Sequence, residues 1–529
     1  MPTGGEVLVQ ALEALHVEVA FGLPGVHNLA AWKAFPGSAV RLVGVRHEQT
    51  AGYAADGYAR ATGRLGVALT TTGPGAANVV AATGEAWACH SPLLVIATDI
   101  PSTVRRPGAH RGVLHETNDQ AGFFRPVTKA VVRVESAEDL YFDVVAAGRL
   151  AMQAPRRPVY VEIPTDLLSA RVPVPEPVPD LRPAVHVELL VDDVVTALGS
   201  AGRPLLWAGG GVTASDAGEA LGRVAALLGA PVLTSYGGRG TLPPDHPCSV
   251  ALPPHEPAVG ALWDDADLVL CVGSDLDAMN TQGFRQPRPP RLVTVDLVQP
   301  VNYPPDLWVR ADARQALGAL AEALPDPGRR PWWRPPGDRS HLAGQETALL
   351  DAIEAALPED AVVVADMCKA GYWYGGYGRV ASARGLAYPV GWGTLGFGFP
   401  ASLGAALSGR PTVALVGDGG FLFACGDLAT AAQERLPVTV VLVDDGGYGM
   451  LAYDFEKDGE TPVGCDLEPP DFVALAEAFR VPAERVGIGQ LADALQRHMR
   501  TDGPSLLVVP ADLVPPPNTS PRWYRAAVR

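Results

Sequence analysis

The sequence is short of several things, and each shortage closes off a class of function. No apolar stretch reaches the roughly 18 residues that a membrane-spanning helix needs, so no membrane partner is expected. Basic residues are in deficit. Lys plus Arg is 41 against 58 Asp plus Glu, a net charge of −17, which argues against nucleic acid or an anionic membrane surface as the partner. The six cysteines, Cys89, Cys248, Cys271, Cys368, Cys425 and Cys465, lie far apart with no Cys-x-x-Cys pair. Neither a zinc ribbon nor a disulfide framework is indicated, and reduced thiols in the cytoplasm are expected. Residues 1–15 carry Glu6 and Glu13 and no basic start, so they do not read as a signal peptide. The glycosylation-type triplet Asn518-Thr519-Ser520 then has no meaning. No short-period repeat is present.

What the chain does have is core. Hydrophobic residues make up 47% and charged residues 19% of 529, the profile of a large globular protein. At about 150 residues per domain that length suggests about three domains. Short apolar runs alternate with helical stretches, the signature of parallel sheets buried on both faces. Strands are expected at 65–72, 93–97 and 159–163, then at 205–208, 231–234, 268–272 and 292–295, then at 362–365, 412–416, 438–443 and 506–509. One helix is expected over 76–89. Proline-rich linkers at 172–183 and 325–336 separate three α/β domains, 1–171, 185–325 and 340–515, each a mostly parallel sheet flanked by helices. The first and third show weak mutual resemblance.

The strongest chemical signal is in the third domain. The strand at 412–416 runs into Gly417-Asp418-Gly419-Gly420, and a helical pattern follows. Small residues at a strand end let a phosphate approach the backbone, and a helix N-terminus adds donors. Asp418 suits a divalent cation, because hard ions take carboxylate oxygen. The next strand ends in Asp444-Asp445-Gly446-Gly447-Tyr448, which puts a second carboxylate on the same sheet edge. Either motif alone could be an ordinary turn; the pair points to Mg²⁺ and a diphosphate. In the first domain, Glu48 follows a strand at 42–45 and opens a small-residue helix, where a carboxylate is buried. The alternative is a Glu48 simply paired with Arg46 or Arg60. Two nucleotide-like glycine turns, Gly391-Trp392-Gly393-Thr394-Leu395-Gly396 and Gly209-Gly210-Gly211, are weak on their own.

Four segments together resemble the thiamine diphosphate-dependent enzymes of the acetolactate synthase and 2-oxo acid decarboxylase family: residues 21–25 (FGLPG), 46–60 (RHEQTAGYAADGYAR), 391–400 (GWGTLGFGFP), and 417–420 with 447–450 (GDGG, GYGM). The resemblance implies a pyrimidine-binding, a central and a diphosphate-binding domain, in that order. It implies that Glu48 hydrogen-bonds the cofactor's pyrimidine nitrogen, that the Gly393 carbonyl accepts from its amino group, and that Leu395 wedges its two rings together. Gly417, Gly419, Gly420 and Tyr448 then line the diphosphate, and Asp418, Asp445 and the Gly447 carbonyl ligate Mg²⁺. Position 445 is commonly Asn in the family, so Asp445 adds a negative charge.

Residues 114–129 resemble the corresponding segment of flavin-free acetolactate synthases, which makes His115 and Glu116 catalytic candidates; the alternative for His115 is a surface-loop histidine. Pyruvate decarboxylases carry acids where this chain has Val26 and Leu451. Their absence favours capture of the enamine by a carbonyl acceptor, hence decarboxylation of a small-molecule 2-oxo acid followed by carboligation. Plain decarboxylation to an aldehyde is the alternative, and a noncatalytic thiamine diphosphate-binding subunit is the alternative of another class. Residues 366–370 depart from the synthase pattern, and Lys369 either meets a substrate carboxylate or is solvated. Without a Gly-Met-His-Gly stretch, bound FAD is not expected. In related enzymes the site forms between chains, so a homodimer or homotetramer is expected.

Overall fold

The computed structural model describes residues 1–106, 108–174, 191–326, 328–342 and 344–517. The expected linker at 172–183 falls mostly outside the described residues, as does the triplet at 518–520. Three sheets are built entirely from parallel strand pairs. The first has β1 Val19–Gly22, β2 Arg41–Gly44, β3 Gly66–Thr70, β4 Leu93–Asp99, β5 Ala130–Arg133 and β6 Val159–Pro164, in the order β2-β1-β3-β4-β6-β5. The second has β7 Pro204–Ala208, β8 Val232–Thr234, β9 Leu268–Val272, β10 Leu292–Val295 and β11 Leu307–Val309, ordered β11-β10-β9-β7-β8. The third has β12 Val362–Ala365, β13 Leu386–Ala387, β14 Thr412–Gly417, β15 Val438–Asp444, β16 Ala483–Arg485 and β17 Ser505–Pro510, ordered β13-β12-β14-β15-β17-β16.

The third order repeats the first strand for strand, so the weak likeness in sequence is an identity in topology. Strands such as β4 (LLVIATD) are buried along their whole length, because helices cover both faces. The expected helix over 76–89 is instead two, Pro74–Asn78 and Val80–Ala88. In both repeated sheets the chain leaves a strand to one side and returns on the other, between β1 and β3 and between β12 and β14. Crevices at the C-terminal ends of such strands are where open α/β sheets bind ligands.

One apolar cluster joins the first and third sheets, with Val19, Phe21, Ala54 and Tyr58 packed among Phe399, Leu403, Val416 and Leu442. The Glu48–Thr62 and Gly398–Ala405 helices meet at its centre. Glycine permits that approach. A Cβ at Gly57 would stand 2.6 Å from the Ala401 carbonyl carbon, and one at Gly404 would stand 2.6 Å from that of Ala54. A second cluster ties the central sheet to the third through Trp207, Trp263, Leu350 and Trp373.

Candidate active site

At the end of β14 the Asp418 side chain is buried, 1% exposed. Its Oδ1 accepts the Gly419 N–H at 2.8 Å, and its Oδ2 has no hydrogen-bond partner among the described residues. Burial lifts the Asp418 carboxyl well above the usual carboxylate range; Asp445 and Asp444 push the same way, against the Gly419 N–H. Asp445 follows β15 and accepts from Lys369 Nζ at 3.0 Å. The turn beyond it is held by strand-like contacts. Tyr448 N–H donates to Cys465 at 2.9 Å, and Leu467 N–H donates to Gly446 at 3.0 Å. The Tyr448 ring lies over Gly419, where a Cβ would come within 2.7 Å of it. No three His, Cys, Asp or Glu side chains converge to hold a metal among the described residues. The neighbouring Asp418 and Asp445 carboxylates would suit a hard divalent cation, which takes oxygen ligands.

Beside this stands the loop that carries Gly393 and Leu395. Gly393 adopts a left-handed backbone, φ +70°. The Leu395 side chain approaches Gly420, where a Cβ would be 3.2 Å from its Cδ1 and 2.7 Å from Asp366 Oδ2. Asp366, fully buried after β12, accepts N–H groups from Met367 at 2.8 Å, Gly396 at 3.0 Å and Phe397 at 3.3 Å. On its other flank the loop is fastened by the Thr394 hydroxyl, which donates to Glu85 at 2.7 Å. The glycine pattern here follows only the two-residue β13, and Gly391 and Gly396 face Cys89 and Phe423 closely. The glycine turn at 391–396 therefore lacks the strand–turn–helix of a nucleotide site, whereas the turn at 209–211 does run from β7 into the Gly210–Ala214 helix.

In the first sheet, Glu48 is 6% exposed at the start of its helix. It accepts from Asn78 Nδ2 at 2.9 Å. Arg60, the partner open from the sequence, is instead held by Asp56 at 2.7 Å and Glu85 at 3.3 Å. Arg46 donates to Gln433 at 2.7 Å. Glu48 Oε1 lies by Gly75, and Thr71 lies by both Gly25 and Gly75. Around them the structure adds a residue that sequence reasoning missed. The His27 ring meets His115 edge to face, centroids 5.2 Å apart, and the Nδ1 of each is buried with no hydrogen-bond partner among the described residues. Burial, and then the neighbouring His115, hold His27 below the usual histidine range. His115 has φ +66° and packs on the Gly73 turn. That turn is pinned by Gln120, which accepts the Gly73 N–H at 2.6 Å and donates to Thr98 O at 2.9 Å. The Glu116 carboxylate is turned onto its own loop, accepting from Arg111 at 2.9 Å and Val113 at 3.0 Å.

The residues thus fall into two groups. Asp418, Gly419, Gly420, Tyr448, Asp445, Lys369, Asp366 and Leu395 gather at the third sheet; Glu48, Thr71, His27 and His115 gather at the first. Among the described residues no hydrogen bond or ion pair connects Glu48 with Gly393, Leu395, Asp418 or Asp445. Asp427 does bridge the two layers, accepting from Arg46 N–H at 2.8 Å and from the Thr50 hydroxyl at 2.6 Å.

Two topologically identical sheets, one offering carboxylates and glycines at the switch point and the other a buried glutamate with two imidazoles, define a cofactor-dependent enzyme of the diphosphate-binding kind. The chain belongs to the thiamine pyrophosphate (thiamine diphosphate) enzymes. The family's N-terminal TPP-binding, central and C-terminal TPP-binding domains match residues 2–123, 191–320 and 366–509. The chain is 38% identical to a probable 2-ketoarginine decarboxylase of Pseudomonas aeruginosa, over 94% of this chain and 91% of that one. It is 28% identical to a probable acetolactate synthase large subunit of Methanocaldococcus jannaschii, over 97% and 93%. Its fold matches a thiamine diphosphate-dependent 4-hydroxybenzoylformate decarboxylase of Rhodococcus jostii RHA1 with a TM-score of 0.84 and 26% identity, covering 97% of this chain and all of that one. Membership of an enzyme family with catalytic relatives sets aside the noncatalytic-subunit alternative. No helix among the described residues is long and apolar enough to cross a membrane.

Proposed function

We propose that this enzyme decarboxylates a small-molecule 2-oxo acid and protonates the product to an aldehyde, using thiamine diphosphate and Mg²⁺ at a site shared by two copies of the chain. The observation that carries the reading is the His27–His115 pair, two half-buried imidazoles without Nδ1 partners in the Glu48 group. Bound thiamine diphosphate supplies the electron sink for the carbanion left when CO₂ departs. The residues fit that group. The donorless Asp418 Oδ2, beside Asp445, calls for a cation, and Asp445 with the Gly447 carbonyl would complete the protein's share of Mg²⁺ ligands. Gly417, Gly419, Gly420 and Tyr448 would line the diphosphate. The Gly393 carbonyl and Leu395 would orient the rings. Glu48 would hold a proton at the pyrimidine nitrogen.

The two histidines stand as proton donors and as partners for a substrate carboxylate. Glu116 and Gln120 keep the His115 loop and the Gly73 turn in place. The shared site is supported by the separation of Glu48 from the metal residues and by exposed apolar side chains: Val26, Leu114, Trp392, Phe423 and Leu451 are each more than half exposed. The Gly449–Lys457 helix buries none of its residues within one chain. A second copy would cover these surfaces, giving a homodimer or a homotetramer.

The second reading, carboligation to a carbonyl acceptor, is favoured by Val26 and Leu451, which stand where pyruvate decarboxylases carry acids. A panel of 2-oxo acids including 2-ketoarginine and 4-hydroxybenzoylformate, with CO₂ release measured and products identified by mass spectrometry, separates the two. The aldehyde one carbon shorter is expected as the main product. A hydroxyketone as main product would move the assignment to carboligation, and no CO₂ from any member of the panel would overturn both.

A further inference from the structure

Only four lysines occur in the chain, Lys33, Lys129, Lys369 and Lys457, so most basic positions are arginine. Lys369 is the one among the metal-site carboxylates. It opens the Lys369–Tyr377 helix, where the helix dipole disfavours a cation, and it is buried to 8% exposure. Both features cost stability unless an anion answers them. The answer is Asp445, whose Oδ2 lies 3.0 Å from Nζ; the further partner, Asp512 at 3.1 Å, has a 90% exposed side chain and contributes little. The adjoining backbone of the same chain makes room for the pair. A Cβ at Gly449 would collide with Asp445 Oδ2 and come within 2.6 Å of Lys369 Nζ. A lysine that is solvated would have neither this burial nor this partner.

The geometry points to Lys369 as the countercharge of the diphosphate and metal site: its ammonium offsets the carboxylate that Asp445 adds, and so sets the balance between anion and divalent-cation affinity there. This rests on the thiamine diphosphate and Mg²⁺ reading of Asp418 and Asp445. Removing Lys369 makes the site one charge more negative, removing the Asp445 carboxylate makes it one charge more positive, and removing both restores the original sum. Anion and cation binding must then respond in opposite directions.

The test is calorimetric titration of the purified apoenzyme with inorganic pyrophosphate in EDTA, and separately with Mg²⁺ alone. Thermal melting of each variant confirms that it folds. Lys369→Gln is expected to weaken pyrophosphate about tenfold and to tighten Mg²⁺ several-fold; Asp445→Asn is expected to do the reverse. The double variant should return pyrophosphate affinity to within about threefold of wild type, and Lys369→Arg should hold both affinities within about threefold. A Lys369→Gln variant that moves both affinities in the same direction, or neither by more than about twofold, overturns the proposal. So does a double variant whose pyrophosphate affinity stays as low as that of Lys369→Gln. If the wild type binds neither pyrophosphate nor thiamine diphosphate, the cofactor reading itself fails and carries this one with it.

Discussion

The Thr394 hydroxyl donates to the Glu85 carboxylate at 2.7 Å, and this bond fastens the Gly393–Leu395 loop of the third sheet to a helix of the first. Glu85 is completely buried and also receives Arg60 at 3.3 Å and the Cys89 thiol at 3.0 Å. Arg60 goes on to the Tyr388 carbonyl at 3.1 Å. The Gly393–Leu395 loop is therefore referenced to the first sheet through a chain of charged and polar groups.

Breaking that chain should loosen the loop as well as destabilise the fold. Glu85→Ala removes one partner of a buried ion pair, and the expected loss is about 3–5 kcal/mol, toward the lower end because Asp56 still holds Arg60. Thr394→Val should cost only about 1 kcal/mol, the net worth of one hydrogen bond, yet still weaken thiamine diphosphate binding. Calorimetric melting and cofactor titration on both variants check this. A Thr394→Val variant with unchanged cofactor affinity would show that the loop is positioned by Asp366 alone.

Glu48 and Asp418 should fail in different ways. Glu48→Gln keeps the side chain's shape and its Asn78 contact, so the fold and thiamine diphosphate binding should persist while turnover falls roughly 10²–10⁴-fold, the usual cost of losing a general acid–base group. Asp418→Ala should abolish Mg²⁺-dependent cofactor binding. Turnover and fluorescence-monitored cofactor titration distinguish the two. Near-wild-type turnover in Glu48→Gln would sink its role.

Asp366 should leave a mark on the pH dependence of stability. Burial pushes its carboxyl up to about 6, against the N–H groups of Met367, Gly398, Gly396 and Phe397, which favour the charged form. The unfolded side chain titrates near 3.8. The folded chain thus binds this proton more tightly than the unfolded chain does. Its contribution to stability is greatest below about pH 4, falls by about 3 kcal/mol as pH rises to about 6, and is level above that. Melting wild type and Asp366→Asn across pH 4–7 isolates the effect, with the gap between them shrinking as pH rises. A gap independent of pH would mean that Asp366 titrates as an ordinary aspartate.

Much of the frame was legible because the long central strands are apolar throughout. The expected 268–272, 292–295 and 362–365 strands have those bounds in the structure, and β14 and β15 extend theirs by one residue. The missed strands β1, β5, β11, β13 and β16 are two to four residues long, too short to establish a pattern, and all but β1 lie at sheet edges. Asp418 and Asp445 could be singled out because each follows such a strand. His27 could not, since a lone histidine after a Pro-Gly turn has no local signature; only the fold brings it to His115. Glu85 and Thr394 are 309 residues apart, and Asp427 and Thr50 are 377 apart, so neither pair leaves any trace in local spacing. Lys369 was seen, but its partner Asp445 emerged only when β12 and β15 lay in one sheet.

The separation of the two residue groups leads to the most demanding prediction. Glu48 belongs to the first sheet and Asp418 to the third, and among the described residues no hydrogen bond joins them within one chain. On the proposed reading, thiamine diphosphate would nevertheless have to reach both Glu48 and the Asp418 carboxylate. If the site is shared, two copies contribute to each, and two inactive variants complement one another. Glu48→Gln and Asp418→Ala, mixed after dissociation and reassociation, form mixed dimers in which one site draws Glu48 and Asp418 from intact chains and the other carries both defects. With random pairing about half the dimers are mixed, so about a quarter of wild-type activity per site is expected, since one site in four is then whole. Native mass spectrometry establishes that mixed dimers form. Activity that stays at the level of the separate variants, although mixed dimers are present, would place each site within a single chain. The exposed Leu451 and Trp392 would then need another explanation for their exposure.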